Sequence, residues 1–399
     1  MFYNLLNYTS NTESQNRTPH LKTILDNVQP DLFMVCELKN SSGSDYLFNN
    51  AILPFNNHFN KATFEYAQSG GSLQQMVYYN NDKLVLEASN IITTRVRDIN
   101  HYTFKINTEN AETNPIKIEV FVTHLKASYD SSNRQKRLES VEEFTRELER
   151  IPANSYVLFA GDFNFYTSNE EGFLKIIDPT NFIKITDPIN RLCPTFPNDG
   201  NVYYNTEYDN TYFWNNASFK DIHTQSTRTS AGSDGAGGGM DDRFDFIMMS
   251  ENFNSSSDLF YVNNSYKSIG NNGNCYNSYV SNVNCSGVFS QSLRAAIYNF
   301  SDHLPVVMEI ETPKNTLSTY NYLNPITFTS SNIIETTLSF SIPKNSDIYN
   351  IIVYNQLGQK LQEIETKNKT EFKLNISHFS KGIYYLKAEN YSPKKIIKI

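Results

Sequence analysis

Tyr156-Val157-Leu158-Phe159-Ala160-Gly161-Asp162-Phe163-Asn164 runs from an apolar stretch straight into a carboxylate and an amide. A short apolar run of this kind reads as a buried strand, and the polar side chains beyond it sit where the chain leaves the sheet. Upstream, Arg134 to Arg150 places Leu138, Val141, Phe144 and Leu148 on one face of an amphipathic helix. Helices alternating with buried strands are the pattern of an α/β sandwich. The pattern recurs near the start of the chain. There Leu21, Ile24, Leu25 and Val28 have helical spacing over His20 to Gln29, Pro30-Asp31 ends the helix, and Leu32-Phe33-Met34-Val35-Cys36 follows as a strand. Ile116 to Val122 alternates like a half-buried strand, and Arg243 to Met249 is another strand that carries one buried Asp, Asp245.

Several apolar runs end on chemistry-bearing residues: Val35-Cys36-Glu37, Val122-Thr123-His124-Leu125, Gly161-Asp162-Phe163-Asn164 and Ser301-Asp302-His303-Leu304-Pro305. They are spread over about 270 residues, so only a complete fold can bring them together. Glu37 and Asp302 are hard oxygen ligands, better suited to Mg²⁺ or Mn²⁺ than to zinc. Such an ion neutralises charge on a phosphate oxygen. Asp245 is expected to accept an N–H from His303 and fix its tautomer. Asp162 then remains to orient and deprotonate water, and Asn164 can donate to a phosphate oxygen.

With 399 residues and 39% hydrophobic content, the chain exceeds what one core usually holds, so two domains are expected. No apolar run is long enough to span a membrane. Residues 1–325 carry 24 basic against 36 acidic side chains, a poor match to non-specific grip on a phosphate backbone unless a bound cation offsets it. From Ile326 to Ile399 the balance reverses, with 10 lysines against 6 acidic residues. A linker over 313–325 precedes this part. Strands are expected over Thr337–Ile342, Ile348–Tyr354, Lys360–Glu365, Glu371–Leu374, Ile383–Ala388 and Lys394–Ile399, with no helix signal, which describes a small β-sandwich. Thr195 to Ala231 is rich in Asn, Tyr and Thr and has no clear period. It leads into the Gly-rich Ala231 to Gly239, a loop or a close backbone approach. Cys275 and Cys285 suit a loop disulfide in an oxidising compartment, Cys36 reads as a core thiol, and Cys193 fits either role.

The ordered set Tyr3-Asn4, Cys36-Glu37, Thr123-His124-Leu125, Gly161-Asp162-Phe163-Asn164, Arg243-Phe244-Asp245-Phe246-Ile247 and Ser301-Asp302-His303-Leu304-Pro305-Val306 resembles the endonuclease/exonuclease/phosphatase superfamily over residues 1–312. The resemblance implies a four-layer αββα sandwich and a divalent metal, Mg²⁺ with Mn²⁺ or Ca²⁺ as alternatives. It implies Glu37, Asn4 and Asp302 at the metal and Asp162, Asn164, His303, Asp245 and His124 in catalysis. Deoxyribonuclease-like members pair the first histidine with a Glu where this chain has Leu73-Gln74-Gln75, so His124 is expected only to donate to phosphate. The implied activity is phosphodiester hydrolysis, with an extracellular nuclease as the leading reading. A phospholipid or sphingomyelin phosphodiesterase and a phosphomonoesterase are the alternatives within the fold, and a non-catalytic surface binding module is the alternative of another class. An exposed aromatic hairpin would favour the lipid substrate, with Tyr203-Tyr204 and Tyr212-Phe213-Trp214 as the candidates.

Val353 to Gln359, Leu374 to Tyr385 and Lys394 to Lys398 resemble the sorting domain of the type IX secretion system of Bacteroidetes, here residues 326–399. This implies a secreted or surface-attached protein whose partner is the secretion machinery. Met1 opens directly into a strand-like segment with no signal peptide, so a truncated start is expected. A monomer is expected.

Overall fold

A computed structural model of the chain describes residues 1–195, 210–232, 234–315, 326–342, 350–367, 369–388 and 393–399. Met1–Leu317 and Ser318–Ile399 form two compact units.

The strands of the first unit are β1 (Phe2–Tyr8), β2 (Leu32–Leu38), β3 (Phe59–Lys61), β4 (Gln74–Asn80), β5 (Leu84–Ile92), β6 (Ile99–Ile106) and β7 (Lys117–His124). They continue with β8 (Tyr156–Asp162), β9 (Ile185–Thr186), β10 (Asp245–Ser250), β11 (Phe260–Tyr261), β12 (Lys267–Ser268), β13 (Val306–Val307) and β14 (Ile310–Glu311). One six-stranded sheet has the order β12-β13-β1-β2-β4-β3, the other β5-β6-β7-β8-β10-β9, and β11 pairs with β14.

Successive strand side chains point to opposite faces, and here both faces are buried. On β7, Val120 and Val122 enter the core between the sheets while Phe121 enters an outer core. On β8, Leu158 and Ala160 face inward and Val157 and Phe159 outward. On β1 and β2, Phe2, Met34 and Cys36 lie between the sheets, and Tyr3, Leu5, Phe33 and Val35 face the other way. Helices Thr12–Val28 and Gln291–Phe300 cover the first sheet through Leu21, Ile24, Leu25, Ile297 and Phe300. Helix Ser131–Leu148 covers the second through Val141, Phe144 and Leu148, with Phe144 stacked on Phe159 at 3.8 Å. The result is the four-layer αββα sandwich. Each fully buried Phe or Leu contributes about 1.5–3 kcal/mol.

The first helix begins well before His20. Asn11 accepts from the Ser14 N–H and caps it at Thr12. Its opening turns are polar, so apolar periodicity does not reveal them, and Pro19 lies inside the helix. They are anchored by Arg17, whose guanidinium donates to the carbonyls of Leu5, Leu6 and Phe300. Cys275 and Cys285 are disulfide-bonded, and Cys36 and Cys193 are free and buried.

In the second unit β15 (Thr327–Phe328), β17 (Thr337–Ser341) and β20 (Glu371–Asn375) form one sheet. The other has the order β16 (Ile333–Ile334), β22 (Lys394–Lys398), β21 (Gly382–Ala388), β18 (Asn350–Asn355) and β19 (Lys360–Glu365). Leu338, Phe340, Ile351, Val353, Leu374, Leu386 and Ile396 fill the core of this all-β unit. The expected strand from Ile348 starts outside the described residues, and its remainder is β18.

Candidate active site

Strand parity places the polar residues. His124 pairs in register with Asp162, and Asp162 with Asp245, so three adjacent strands present them in one row. They share parity with Val120 and Val122, with Leu158 and Ala160, and with Ile247 and Met249, all in the inter-sheet core. The row therefore closes one end of the gap between the sheets. Asn4 has the inward parity of Phe2 on the opposite sheet. Its Nδ2 donates to Glu37 Oε1 at 3.1 Å and to Asp162 Oδ2 at 3.0 Å, and lies 3.3 Å from His303 Nε2.

Glu37 has outward parity, yet it reaches the same cluster. Its φ is 61°, and the β2–β4 register shifts between Val35 and Leu38, which breaks the alternation. Leu6 and Asn7 are also left-handed, each with φ 51°, and the Asn7 N–H donates to Glu37 Oε2 at 2.7 Å. Non-glycine residues in this region store backbone strain, which concentrates at functional sites.

Glu37, His124 and Asp162 offer ligand atoms that all lie within 4.8 Å of one another, a group that could hold a metal ion. Of the expected metal set this group contains Glu37, and Asn4 bridges two of its carboxylates. Asp302 is outside it: Oδ2 accepts from the Ala236 N–H at 2.7 Å and from Gln225 at 3.3 Å, and Oδ1 is buried without a partner among the described residues. His303 Nδ1 is 2.8 Å from Asp245 Oδ2, while its Nε2 lies 3.7 Å from Asp162 Oδ2. Asn164, at φ 52°, gives one amide hydrogen to the Leu125 carbonyl at 3.2 Å, tying the two segments that leave β7 and β8.

Burial raises the carboxyl of Asp162 to about 7, with Asp245 and Glu37 adding to the shift and His303 opposing it. Burial likewise raises Glu37 and Asp245. At His303 burial opposes the charge, but Asp245, Asp162 and Asp302 outweigh it and lift the imidazole well above its usual range. Burial, then the positive charges of Arg97 and His303, push His124 well down, so it is neutral. Among the described residues, His124 Nδ1 is buried without a hydrogen-bond partner. Gln74 bonds to Gly71 and Ala67, and Gln75 to the Asp98 carbonyl, so neither reaches it. Converging carboxylates that resist ionisation, beside a neutral imidazole, fit a divalent cation, which would favour their charged forms.

Sequence reasoning did not find Gln225, Asn7 or Arg97. The amide of Gln225 lies 2.6 Å from His303 Nε2. Gln225 belongs to the Asn-, Tyr- and Thr-rich segment, whose composition carries no signal for it. Asn7 shows only as strand sequence, and Arg97 donates to the carbonyls of His124 and Leu125 from a loop. Tyr203-Tyr204 lie outside the described residues. Trp214 is fully buried against Phe173 and Phe246, with Arg243 over its ring, so this aromatic packs into the outer core.

The first unit is thus a two-sheet sandwich whose inter-sheet core ends in a buried cluster of carboxylates, histidines and an asparagine. Residues 331–399 match the family described as the secretion system C-terminal sorting domain, which marks the chain for secretion. No curated protein sequence matches the chain. Similar solved structures include the D. rerio TDP2 complexed with single strand DNA product, at 14% identity and TM-score 0.47, covering 78% of this chain and 97% of that one. The endonuclease/exonuclease/phosphatase from Bacteroides vulgatus is similar at 14% identity and TM-score 0.47, with the same coverage of 78% and 97%. A Bacteroides thetaiotaomicron mannosyl-6-phosphatase is similar at 15% identity and TM-score 0.46, covering 78% and 98%.

Proposed function

We propose that the chain is a secreted, divalent-metal-dependent phosphodiester hydrolase that cleaves nucleic acid. The observation that supports it is the buried row His124, Asp162 and Asp245 facing Asn4 and Glu37, with His303 clamped by Asp245. Glu37 would hold the ion, with Asn4 beside it and the unpartnered Asp302 oxygen as a further donor. The ion, when bound, neutralises charge on a phosphate oxygen.

The protein's own residues supply the proton chemistry. Asp162, raised to about 7, accepts a proton from the attacking water near neutral pH. The water oxygen forms the new P–O bond as the ester oxygen opposite it departs with the bonding pair. His303, held protonated by Asp245, gives its Nε2 proton to the departing ester oxygen, and Asn164 and the neutral His124 donate hydrogen bonds to phosphate oxygens. Residues 1–312 are the catalytic part and 313–325 a linker. Residues 326–399 engage the type IX secretion machinery, and the chain acts as a monomer.

The full chain, assayed with Mg²⁺, Mn²⁺ or Ca²⁺ against plasmid DNA, RNA, sphingomyelin, a sugar phosphate and bis-p-nitrophenyl phosphate, should hydrolyse nucleic acid and stop on addition of EDTA. Turnover confined to sphingomyelin or the sugar phosphate would replace the substrate class. No turnover on any of them would sink the enzyme reading.

A further inference from the structure

The segment leaving His124 carries Tyr129, which is 67% exposed. Its ring meets Tyr166 edge to face, with centroids 5.9 Å apart, and Tyr166 in turn meets Phe244 at 4.9 Å. Tyr166 is two residues past Asn164, and Phe244 directly precedes Asp245, so the three rings come from the segments that bear the site.

An exposed ring on a loose loop would mean little, but this loop is fastened from beneath. Ser128 is left-handed, with φ 80°. The fully buried Arg137 donates to the carbonyls of Lys126 and Ser128 at 2.6 and 2.8 Å. Its other nitrogens grip Glu170 Oε2 at 3.0 and 2.8 Å, and Glu170 Oε1 accepts from the Tyr166 N–H at 3.0 Å. One buried ion pair therefore sets the backbone on both sides of the ring pair. A ring mounted on backbone that is already held in place loses little freedom when a ligand stacks on it.

We propose that Tyr129, backed by Tyr166, is the ring-binding wall of the site and stacks on a nucleobase next to the scissile phosphate. This rests on the nucleic-acid reading of the site and adds the residue that holds the base. A lipid chain would need a continuous apolar patch, whereas Tyr129 is flanked by Ser128 and Asp130, with Lys126 and Lys136 in the same stretch of sequence. A single ring in polar, cationic surroundings suits a planar heterocycle joined to phosphate.

The test compares binding of a fluorescent single-stranded oligonucleotide with that of an abasic strand of equal length, by anisotropy with Mg²⁺, in the Asp162→Asn background so that neither is consumed. Stacking of one base predicts roughly five- to a hundredfold tighter binding of the base-bearing strand. Tyr129→Ala should erase that preference and Tyr129→Trp should keep it. Equal binding of the two strands, no binding of either, or a full preference in Tyr129→Ala overturns the wall. Base-selective binding together with no cleavage by the unmutated chain would overturn the hydrolase reading and leave the wall standing.

Discussion

At the scale of single residues, Asp162 and His303 both tie stability to a proton that the folded state holds tightly. The Asp162 carboxyl holds its proton up to about 7, against an ordinary value near 4. The folded state therefore binds this proton more tightly than the unfolded chain, and stability falls as pH rises from about 4 through 7. Asp162→Asn should raise the melting temperature of the EDTA-treated protein at pH 8 while lowering turnover by roughly 10²- to 10⁴-fold. A lower melting temperature in that variant would show that the carboxylate is not under this stress. His303 shifts stability in the same direction, but here it is the charged form that the fold favours. Its raised pKa contributes stability that is fully present below about 6.5 and is lost as pH rises through the folded value. Asp245→Asn removes the nearest charge holding the proton, so the alkaline limb of the kcat/KM profile should move to lower pH. An unmoved limb would separate His303 from the pH-dependent step. His303→Ala should cost a similar roughly 10²- to 10⁴-fold in turnover with unchanged circular dichroism.

At the scale of elements, the helix Ser131–Leu148 does more than cover a sheet. It carries Arg137, which joins the segment after β7 to the one after β8 through Glu170. Both partners are buried, so removing one leaves an uncompensated charge, at a cost of about 3–5 kcal/mol. Arg137→Met should show this loss in denaturant titration, and the double variant Arg137→Met/Glu170→Leu should recover part of it. A single variant as stable as the parent would mean that the pair has no structural role.

At the scale of the whole molecule, the described residues of each unit form hydrophobic cores of their own, three clusters in the first and one in the second. Every candidate site residue lies in the first. Deleting Ile326 to Ile399 should therefore leave kcat/KM on the chosen phosphodiester unchanged and abolish delivery to the cell surface, as read by fractionation of the producing cells. Loss of turnover in the shortened chain would show that the second unit shapes the site.

Much of the site was legible because strand alternation is a local rule. Val120 and Val122 share parity with His124, and Leu158 and Ala160 with Asp162, so a strand buried on both faces also dictates where its last polar residue points. The second unit was legible for the same reason, and β19 spans Lys360–Glu365 as its sequence predicts. The first turns of the helix from Thr12 were not, because polar residues anchored by Arg17 leave no periodic signal. Glu37 could be singled out from its place at a strand end, but its turn into the inter-sheet face depends on a left-handed backbone that alternation excludes. Gln225 beside His303 and the Arg137–Glu170 clamp were decided only by the tertiary structure. Each depends on side chains from segments far apart in sequence meeting in a buried space, and no local pattern encodes that meeting.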